Sequence, residues 1–389
     1  MDASIRDKVA VIGVGCTKFG DLFDQNLADL MVEAATAACA DAGVGLDELD
    51  AAWLGTFSPG MNGGKATITL ADALRFHGRP ITRVENYCAT GTDAFRNAVM
   101  AVASGQVKMA LVLGAEKLKD RPVRGLQREG IHPLLEYGTT APGMFALAAN
   151  RYMNTYGVKR ESLAKVAVKN HAAGALNPKA HFQMKVTEEQ VLKAALIAYP
   201  FGLFDCCPTT DGAAAAIICS AETARALGKP LITVKGMGLA VRTGKPFLDP
   251  TCDYMGFPAT QEASAQAYKA AGIKNPVAEV SFAEVHDCFT WTELTNTEDL
   301  GFCKAGEGAR FVEEGHSTIG GKLPVNPSGG LKSFGHPVGA TGVRMVYEIV
   351  TQLREQAGPR QVKNARIGLA HNLGGPGAVS CVLLLGRDT

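Results

Sequence analysis

Short, uniformly apolar runs alternate with amphipathic stretches along the whole chain. Val9–Val14 is apolar at every position and reads as a buried strand; apolar residues then recur at helical spacing over Leu27–Ala42, and Gly43 supplies a stop. Leu49–Phe57 predicts a second strand. The order returns later as a helix over Gln261–Ala271, a stop at Gly272 and a strand over Glu279–Val285. A second correspondence runs alongside the first. Cys88-Ala89-Thr90-Gly91 leads into a helical pattern over Asp93–Ser104 and the strand Met109–Leu113, while Gly339-Ala340-Thr341-Gly342 leads into Val343–Gln356 and Ala365–Ala370. Two copies of one strand–helix unit predict an α/β protein with parallel sheets covered by helices, and ligands that gather beyond the strand ends.

The pattern changes between the copies. From about Lys119 to Phe204 the chain is richer in Arg, Lys, His, Gln and Met and is punctuated by prolines, which predicts a mostly helical cap laid over one face. Asp211-Gly212 and the apolar Ala213–Cys219 then return the chain to the first sheet. The expected organisation is a first half over 1–118 completed by 205–242, a cap over 119–204 and a second half over 243–389.

Composition narrows the classes of function. The 389 residues carry 39 Lys+Arg against 38 Asp+Glu, so no bulk charge favours nucleic acid or an anionic membrane. The longest apolar runs fall far short of the roughly 18–20 residues needed to span a bilayer. The opening residues carry no charged-then-apolar leader, and a cytoplasmic protein is expected. Ten cysteines occur without Cys-x-x-Cys knuckles or Cys/His clusters at zinc spacing, so neither a metal nor a disulfide framework is expected.

Four segments carry residues suited to chemistry. Cys88 sits where a strand gives way to a helix, and a helix N-terminus favours thiolate over thiol; a small buried cysteine in a turn fits the same segment. His336 lies in a loop rich in glycine and proline, Asn326–Gly330 followed by Gly335–Gly342, which lets backbone approach a ligand closely and fits a capping histidine equally well. His286 and Cys288 are two residues apart at the end of a predicted strand and point to one side if the chain is extended there. His371-Asn372-Leu373-Gly374-Gly375 closes the last strand with backbone amides suited to an oxyanion.

Taken together and in this order, the four segments resemble the thiolase superfamily across essentially the whole chain, with the sterol-carrier-protein type the nearest likeness. His286-Asp287-Cys288-Phe289 stands where ordinary thiolases carry Asn-Glu-Ala-Phe, and Gly335-His336-Pro337 continues into Gly-Ala-Thr-Gly. The resemblance implies a five-layered αβαβα sandwich and a CoA-dependent C-acyltransferase that cleaves 3-oxoacyl-CoA or condenses acyl-CoAs. It implies Cys88 as nucleophile, His336 as its base, and Cys288 as the proton-transfer thiol, because the usual Cys-x-Gly cysteine is replaced by Asn372. His286 and His336 would serve one oxyanion, and the amides of Cys88 and Gly374 the other. Alternatives are a decarboxylating ketosynthase, a partner-dependent aldolase or C-acyltransferase, and a non-catalytic acyl-CoA-binding scaffold.

Coenzyme A is the implied co-substrate, with no metal and no nucleotide redox cofactor. Its phosphates would meet basic residues of the cap, where Lys117, Lys119, Arg121, Arg124, Lys179, His181 and Lys185 cluster, none singled out as a ligand. Tyr87 fits either an acyl-pocket wall or a core aromatic. A homodimer or dimer of dimers, and a small zinc-ribbon/OB-fold partner protein, are the implied associations, with no nucleic acid and no membrane.

Overall fold

The structure, a computed structural model, describes residues 5–57, 67–120, 140–244 and 252–387. Arg121 and Arg124 lie outside the described residues. The first part of the chain forms β1 (Val9–Cys16), α1 (Leu27–Ala42), β2 (Ala51–Gly55), α2 (Thr67–Leu74), β3 (Ile81–Val84), α3 (Thr90–Ala103) and β4 (Met109–Glu116). Three helices follow, α4 (Ala141–Tyr156), α5 (Arg160–Gly174) and α6 (Glu188–Lys193), then the hairpin of β5 (Leu196–Ala198) and β6 (Phe201–Gly202). The chain returns through β7 (Gly212–Ser220), α7 (Ala221–Ala226) and β8 (Ile232–Val241). The rest comprises α8 (Pro258–Ala271), α9 (Pro276–Glu279), β9 (Phe282–Glu284), α10 (Thr290–Asp299), α11 (Gly308–Glu313), α12 (Gly330–Phe334), α13 (Val338–Leu353), β10 (Ile367–Gly374) and β11 (Val379–Arg387).

Local chemistry sets these elements. Asn26 caps α1 by accepting from the amides of Ala28 and Asp29, Asp29 returns a bond to the Asn26 amide, and Gly43 ends the helix in the left-handed conformation at φ 69°. The buried stripe Leu27, Leu30, Met31, Ala34, Ala38 and Ala42 packs against β1 and β7. A Cβ on Gly13 would sit 2.3 Å from the Ala38 carbonyl oxygen, so this strand and helix touch backbone to backbone.

Nine strands run in the order β3-β2-β4-β7-β1-β8-β11-β10-β9. The two halves of this ladder meet through one residue pair, Ala10 with Thr233, and behave as two sheets joined at an edge. Three hydrophobic clusters separate five layers. One lies between α1/α2 and the first sheet (Leu30, Leu54, Leu111, Ile217), and one between the second sheet and α8 (Ala263, Ala267, Leu369, Leu384). The third lies around α3 and α13, between the sheets (Phe95, Val99, Val343, Val346). The sandwich expected from the resemblance is therefore present, with helical segments α4–α6 outside it.

The sheets are mixed, where alternating strands and helices predict parallel ones. β2 is parallel to β3 and β4, and β10 to β9, but β7 runs antiparallel to both β4 and β1. β10 and β11 are antiparallel because the chain between them spans only four residues, with Gly375 and Gly377 at positive φ, too short for a parallel crossover.

One contact positions the site. The N-termini of α3 and α13 meet through glycine: a Cβ on Gly91 would lie 2.8 Å from the Gly339 carbonyl oxygen, and one on Gly342 would lie 2.1 Å from the Thr92 amide nitrogen. The repeated Thr-Gly pair thus docks the two central helices end to end. Cys88 precedes one of them and His336 the other.

Candidate active site

Cys88 sits on a tight turn between β3 and α3. The Asn86 amide donates to Thr90 Oγ1 at 2.8 Å, the Thr90 hydroxyl donates to the Tyr87 carbonyl at 2.5 Å, and Tyr87 takes a left-handed φ of 51°. A side-chain residue in that region stores strain, which persists only where its surroundings fix it. Tyr87 is 47% exposed and its ring lies 6.2 Å from that of Phe57.

Cys88 Sγ and one ring nitrogen each of His286 and His336 lie within 4.8 Å of one another. The two imidazoles meet edge to face, 5.2 Å between centroids at 81°. Their hydrogen bonds assign opposite roles. The Thr341 hydroxyl donates to the Pro337 carbonyl at 3.0 Å, so its oxygen accepts from His336 Nδ1 at 2.7 Å. That leaves His336 Nε2 with a bare lone pair and no hydrogen-bond partner among the described residues. The Asn372 side-chain amide donates to His286 Nδ1 at 3.4 Å, placing the proton of that imidazole on Nε2. One histidine can take a proton and the other can give a hydrogen bond.

Buried groups hold both arms. Asp287 accepts from the Leu331 amide at 2.6 Å and from Asn170 at 2.8 Å, tying the His286–Cys288 turn to α12. Glu116 accepts from the amides of Phe57 and Gly339, both at 2.9 Å, and fastens the end of β4 to the start of α13. Cys288 is buried with its sulfur 3.7 Å from Thr292 Oγ1, and its carbonyl accepts from the Cys207 amide at 2.8 Å and from Lys332 Nζ at 3.5 Å. A Cβ on Gly374 would lie 2.7 Å from the Asn86 carbonyl oxygen, so glycine is what lets the end of β10 abut the Cys88 turn.

Sequence reasoning missed Cys207. The segment around it touches both arms of the site: Cys206 pairs with Phe289, the Cys207 amide bonds Cys288, and Thr209 pairs with His336. Cys207 is an electrostatic neighbour of Cys88, and Cys288 of Cys207, so three thiols share one region. The signal available in the sequence was the vicinal Cys206-Cys207 beside Asp211-Gly212, which carries no periodicity.

Burial dominates the electrostatics. It pushes the Cys88 thiol far above its ordinary value, with the neighbouring Cys207, Glu116 and Glu85 adding to the shift, and does the same to Cys288. It lowers His336 to about 3, with the Arg344 guanidinium second, and holds His286 well below its usual value, with His336 and His371 adding. The helix N-terminus predicts a thiolate at Cys88. Burial acts against it, raising the thiol of the half-buried Cys88 and lowering the His336 imidazole, so it favours the neutral forms.

The basic residues of the cap are partly committed elsewhere. Buried Lys117 binds Asp120 at 2.6 Å and Asp211 at 2.7 Å, Lys119 binds Asp21 at 2.9 Å, and His181 lies 3.5 Å from the same Asp21. A cavity of about 700 Å³ opens beside the site, lined by Phe145, Phe257, Trp291, Arg151, Asp299 and Gly377. Its Phe145 ring packs 5.0 Å from Phe289, the neighbour of Cys288. No helix among the described residues is long and apolar enough to cross a membrane.

The expectation of no metal is corrected. A thiol and two neutral imidazoles, each supplying one donor atom to a common space, form a set that could hold a metal ion. Sequence spacing hid it because Cys88, His286 and His336 come from three distant segments that only the fold brings together.

Comparison with known proteins identifies the family. Residues 9–196 match the family "Thiolase, N-terminal domain", and residues 248–387 match "Thiolase C-terminal domain-like". The chain is 42% identical to an acetyl-CoA acetyltransferase of Methanothermobacter thermautotrophicus over 98% of its own length and 100% of that protein's. It is 36% identical to human sterol carrier protein 2 over 98% of this chain and 72% of that one. Among solved structures, the Ltp2-ChsH2(DUF35) aldolase superposes with a TM-score of 0.87 at 27% identity, over 99% of each chain. A monomeric SCP2-thiolase-like protein of Mycobacterium smegmatis has the same fold, with a TM-score of 0.74 at 19% identity over 98% of this chain and 78% of that one. That protein is described as monomeric, so the homodimer or dimer of dimers expected from the resemblance is withdrawn: the fold does not require self-association.

Proposed function

The chain belongs to the thiolase superfamily, and within it we propose an acyl-CoA enzyme that breaks or makes the carbon–carbon bond β to the thioester carbonyl and works together with a second protein chain. The carrying observation is the pairing at Cys88 of a histidine with a free lone pair, His336, and one with an outward proton, His286. The second chain is inferred from the likeness to the Ltp2-ChsH2(DUF35) aldolase, whose name pairs two proteins. The cap over 119–204 is part of the same proposal, as the surface over which coenzyme A lies.

The chemistry is acyl transfer through Cys88. As Sγ adds to the β-carbonyl carbon of a 3-oxoacyl-CoA, its proton passes to His336 Nε2. Collapse of the adduct breaks the bond between the α and β carbons and leaves the acyl group on Cys88. The departing enolate takes a proton from Cys288. The CoA thiol then gives its proton to the Cys288 thiolate and attacks the acyl-cysteine, and the released Cys88 thiolate recovers its proton from His336. His286 Nε2 and the amides of Cys88 and Gly374 supply hydrogen bonds to oxyanions, each typically worth 10²–10³ in rate.

A second reading, retro-aldol cleavage of a 3-hydroxyacyl-CoA, is favoured by the aldolase likeness. There His336 takes the hydroxyl proton and no acyl group reaches Cys88. Intact-mass measurement after exposure to 3-oxoacyl-CoA and, separately, 3-hydroxyacyl-CoA separates the two. Acyl transfer gives one acyl adduct in the wild type and Cys288→Ala and none in Cys88→Ala. Aldehyde or ketone release from the 3-hydroxyacyl-CoA without an adduct selects the retro-aldol reading, and the absence of both reactions, with and without a co-purified partner, refutes the proposal.

A further inference from the structure

We propose that Cys88, His286 and His336 also form a binding site for a zinc-class metal ion, and that metal occupancy and acylation of Cys88 exclude one another. The geometry comes first. The three donor atoms lie within 4.8 Å of each other. Bond lengths of roughly 2.3 Å to sulfur and 2.0–2.1 Å to nitrogen in a tetrahedral zinc site place its donors about 3.3–3.6 Å apart. The remaining movement, at most about 1.5 Å, is shared among three side chains.

The donor atoms are also prepared. His336 Nε2 is buried with no hydrogen-bond partner among the described residues, while its Nδ1 is fixed by Thr341. A ring anchored through one nitrogen and bare at the other is the arrangement metal-ligating histidines adopt. His286 must move its proton from Nε2 to Nδ1, and its surroundings accept that change. Turning the Asn372 amide over presents Oδ1 to the new Nδ1 proton. The reversed amide then donates to Thr92 Oγ1, now 3.3 Å from the Asn372 side chain, and the Thr92 hydroxyl proton already goes to the Ala89 carbonyl at 2.8 Å.

The donor set selects the ion. One sulfur and two imidazole nitrogens, with no carboxylate among them, suit zinc, cobalt or copper rather than magnesium or calcium. Three protein ligands leave a fourth position for water. Binding is balanced by one proton: the metal displaces the Cys88 thiol proton to solvent, and both imidazoles stay neutral. An acylated sulfur has no proton to lose and is a poor donor, which is the source of the exclusion.

Cobalt(II) is the probe, added to the full-length protein without substrate. One equivalent per chain is expected to bring up a thiolate-to-cobalt charge-transfer band with release of about one proton, and zinc should abolish the band. The band should be absent in Cys88→Ala and after alkylation of Cys88 by iodoacetamide, which leaves the wild-type chain folded. Thr341→Val, which frees the far side of the His336 ring, should weaken cobalt binding 10–100-fold. A missing band in the wild type, or one of equal intensity in Cys88→Ala, overturns the site. Cobalt binding without any acyl adduct would count against the proposed function alone; an acyl adduct without cobalt binding would count against the metal site alone.

Discussion

Gly342→Ala tests the idea that glycine contact between two helix ends sets the distance from Cys88 to His336. The new Cβ would stand 2.1 Å from the Thr92 amide nitrogen, 2.6 Å from Asn372 Oδ1 and 2.7 Å from the Gly91 carbonyl carbon. Two of these are backbone atoms of the opposing helix terminus, so no rotamer change relieves them. To reach ordinary contact the ends of α3 and α13 must separate by more than 1 Å, and overpacking of this kind costs roughly 1–3 kcal/mol. Alanine's own helix preference returns about 1 kcal/mol at most, which leaves a net loss of up to about 2 kcal/mol when that return is full. The kinetic effect should be larger, because Cys88 and His336 ride on the two termini and a misplacement of about 1 Å costs on the order of 10² in rate. The assay pairs urea unfolding with the rate of Cys88 acylation followed by intact mass. Gly143→Ala on α4, where the added carbon meets only Thr140 Oγ1 at 3.2 Å, serves as the control. Wild-type stability and a wild-type acylation rate in Gly342→Ala would show that this contact does not set the geometry of the site.

Three further outcomes follow from the electrostatics. Because burial lowers His336 to about 3, its base form persists across the working range, so the acylation rate should be flat from about pH 5 to 8; an inflection near 6.5 in stopped-flow data would contradict a buried neutral imidazole. Asn372→Asp should slow acylation by roughly 10²–10³, because a carboxylate accepts where the amide donated, which draws the His286 proton from Nε2 to Nδ1 and strips Nε2 of its donor role. A wild-type rate for this variant would refute the tautomer drawn from Asn372. Asp299 is pushed up to about 7, chiefly by burial, although it accepts from the Phe257 amide and Gln261, both at 2.6 Å. An acid raised in the folded state contributes stability below its ordinary pKa that is lost as pH rises through the folded one. Unfolding free energy of the wild type relative to Asp299→Asn should therefore fall between pH 4 and 7, by at most about 1.4 kcal/mol per unit, and parallel curves would contradict the shift.

The duplicated units were legible because both the strand–helix rhythm and the Thr-Gly pair repeat in each copy, and those glycines prove to be the contact between the central helices. Strand direction was not legible: β7 is apolar at nearly every position, and such a run fits a buried strand of either sense. Cys88, His286, Cys288 and His336 could be picked out because each stands at an element boundary beside glycine or proline or at a strand end. Cys207 could not, since its importance lies in the strand-like pairing of Cys206 with Phe289 and of Thr209 with His336, which joins residues more than eighty positions apart. The metal-capable cluster was hidden for the same reason. The upward pull on the Cys88 thiol was not legible because the sequence displays the helix start and conceals the burial around it.

These features have a common physical origin. Docking two helix ends through glycine brings a thiol and two imidazoles into a space between two sheets, where water is scarce and every charged form is penalised. A thiol held neutral there reacts when attack and proton transfer to His336 Nε2 occur together, because a free thiolate would meet the full cost of desolvation. The same enclosure keeps both imidazoles neutral and their lone pairs available, which is also what a soft metal ion requires. Asn372 connects the two outcomes. With its amide turned one way it leaves His286 a hydrogen-bond donor suited to an oxyanion; turned the other way, it leaves His286 a ligand. In the proposed chemistry Asn372 on β10 thus sets which role His286 plays, and proton transfer to carbon is assigned to Cys288 on the turn after β9.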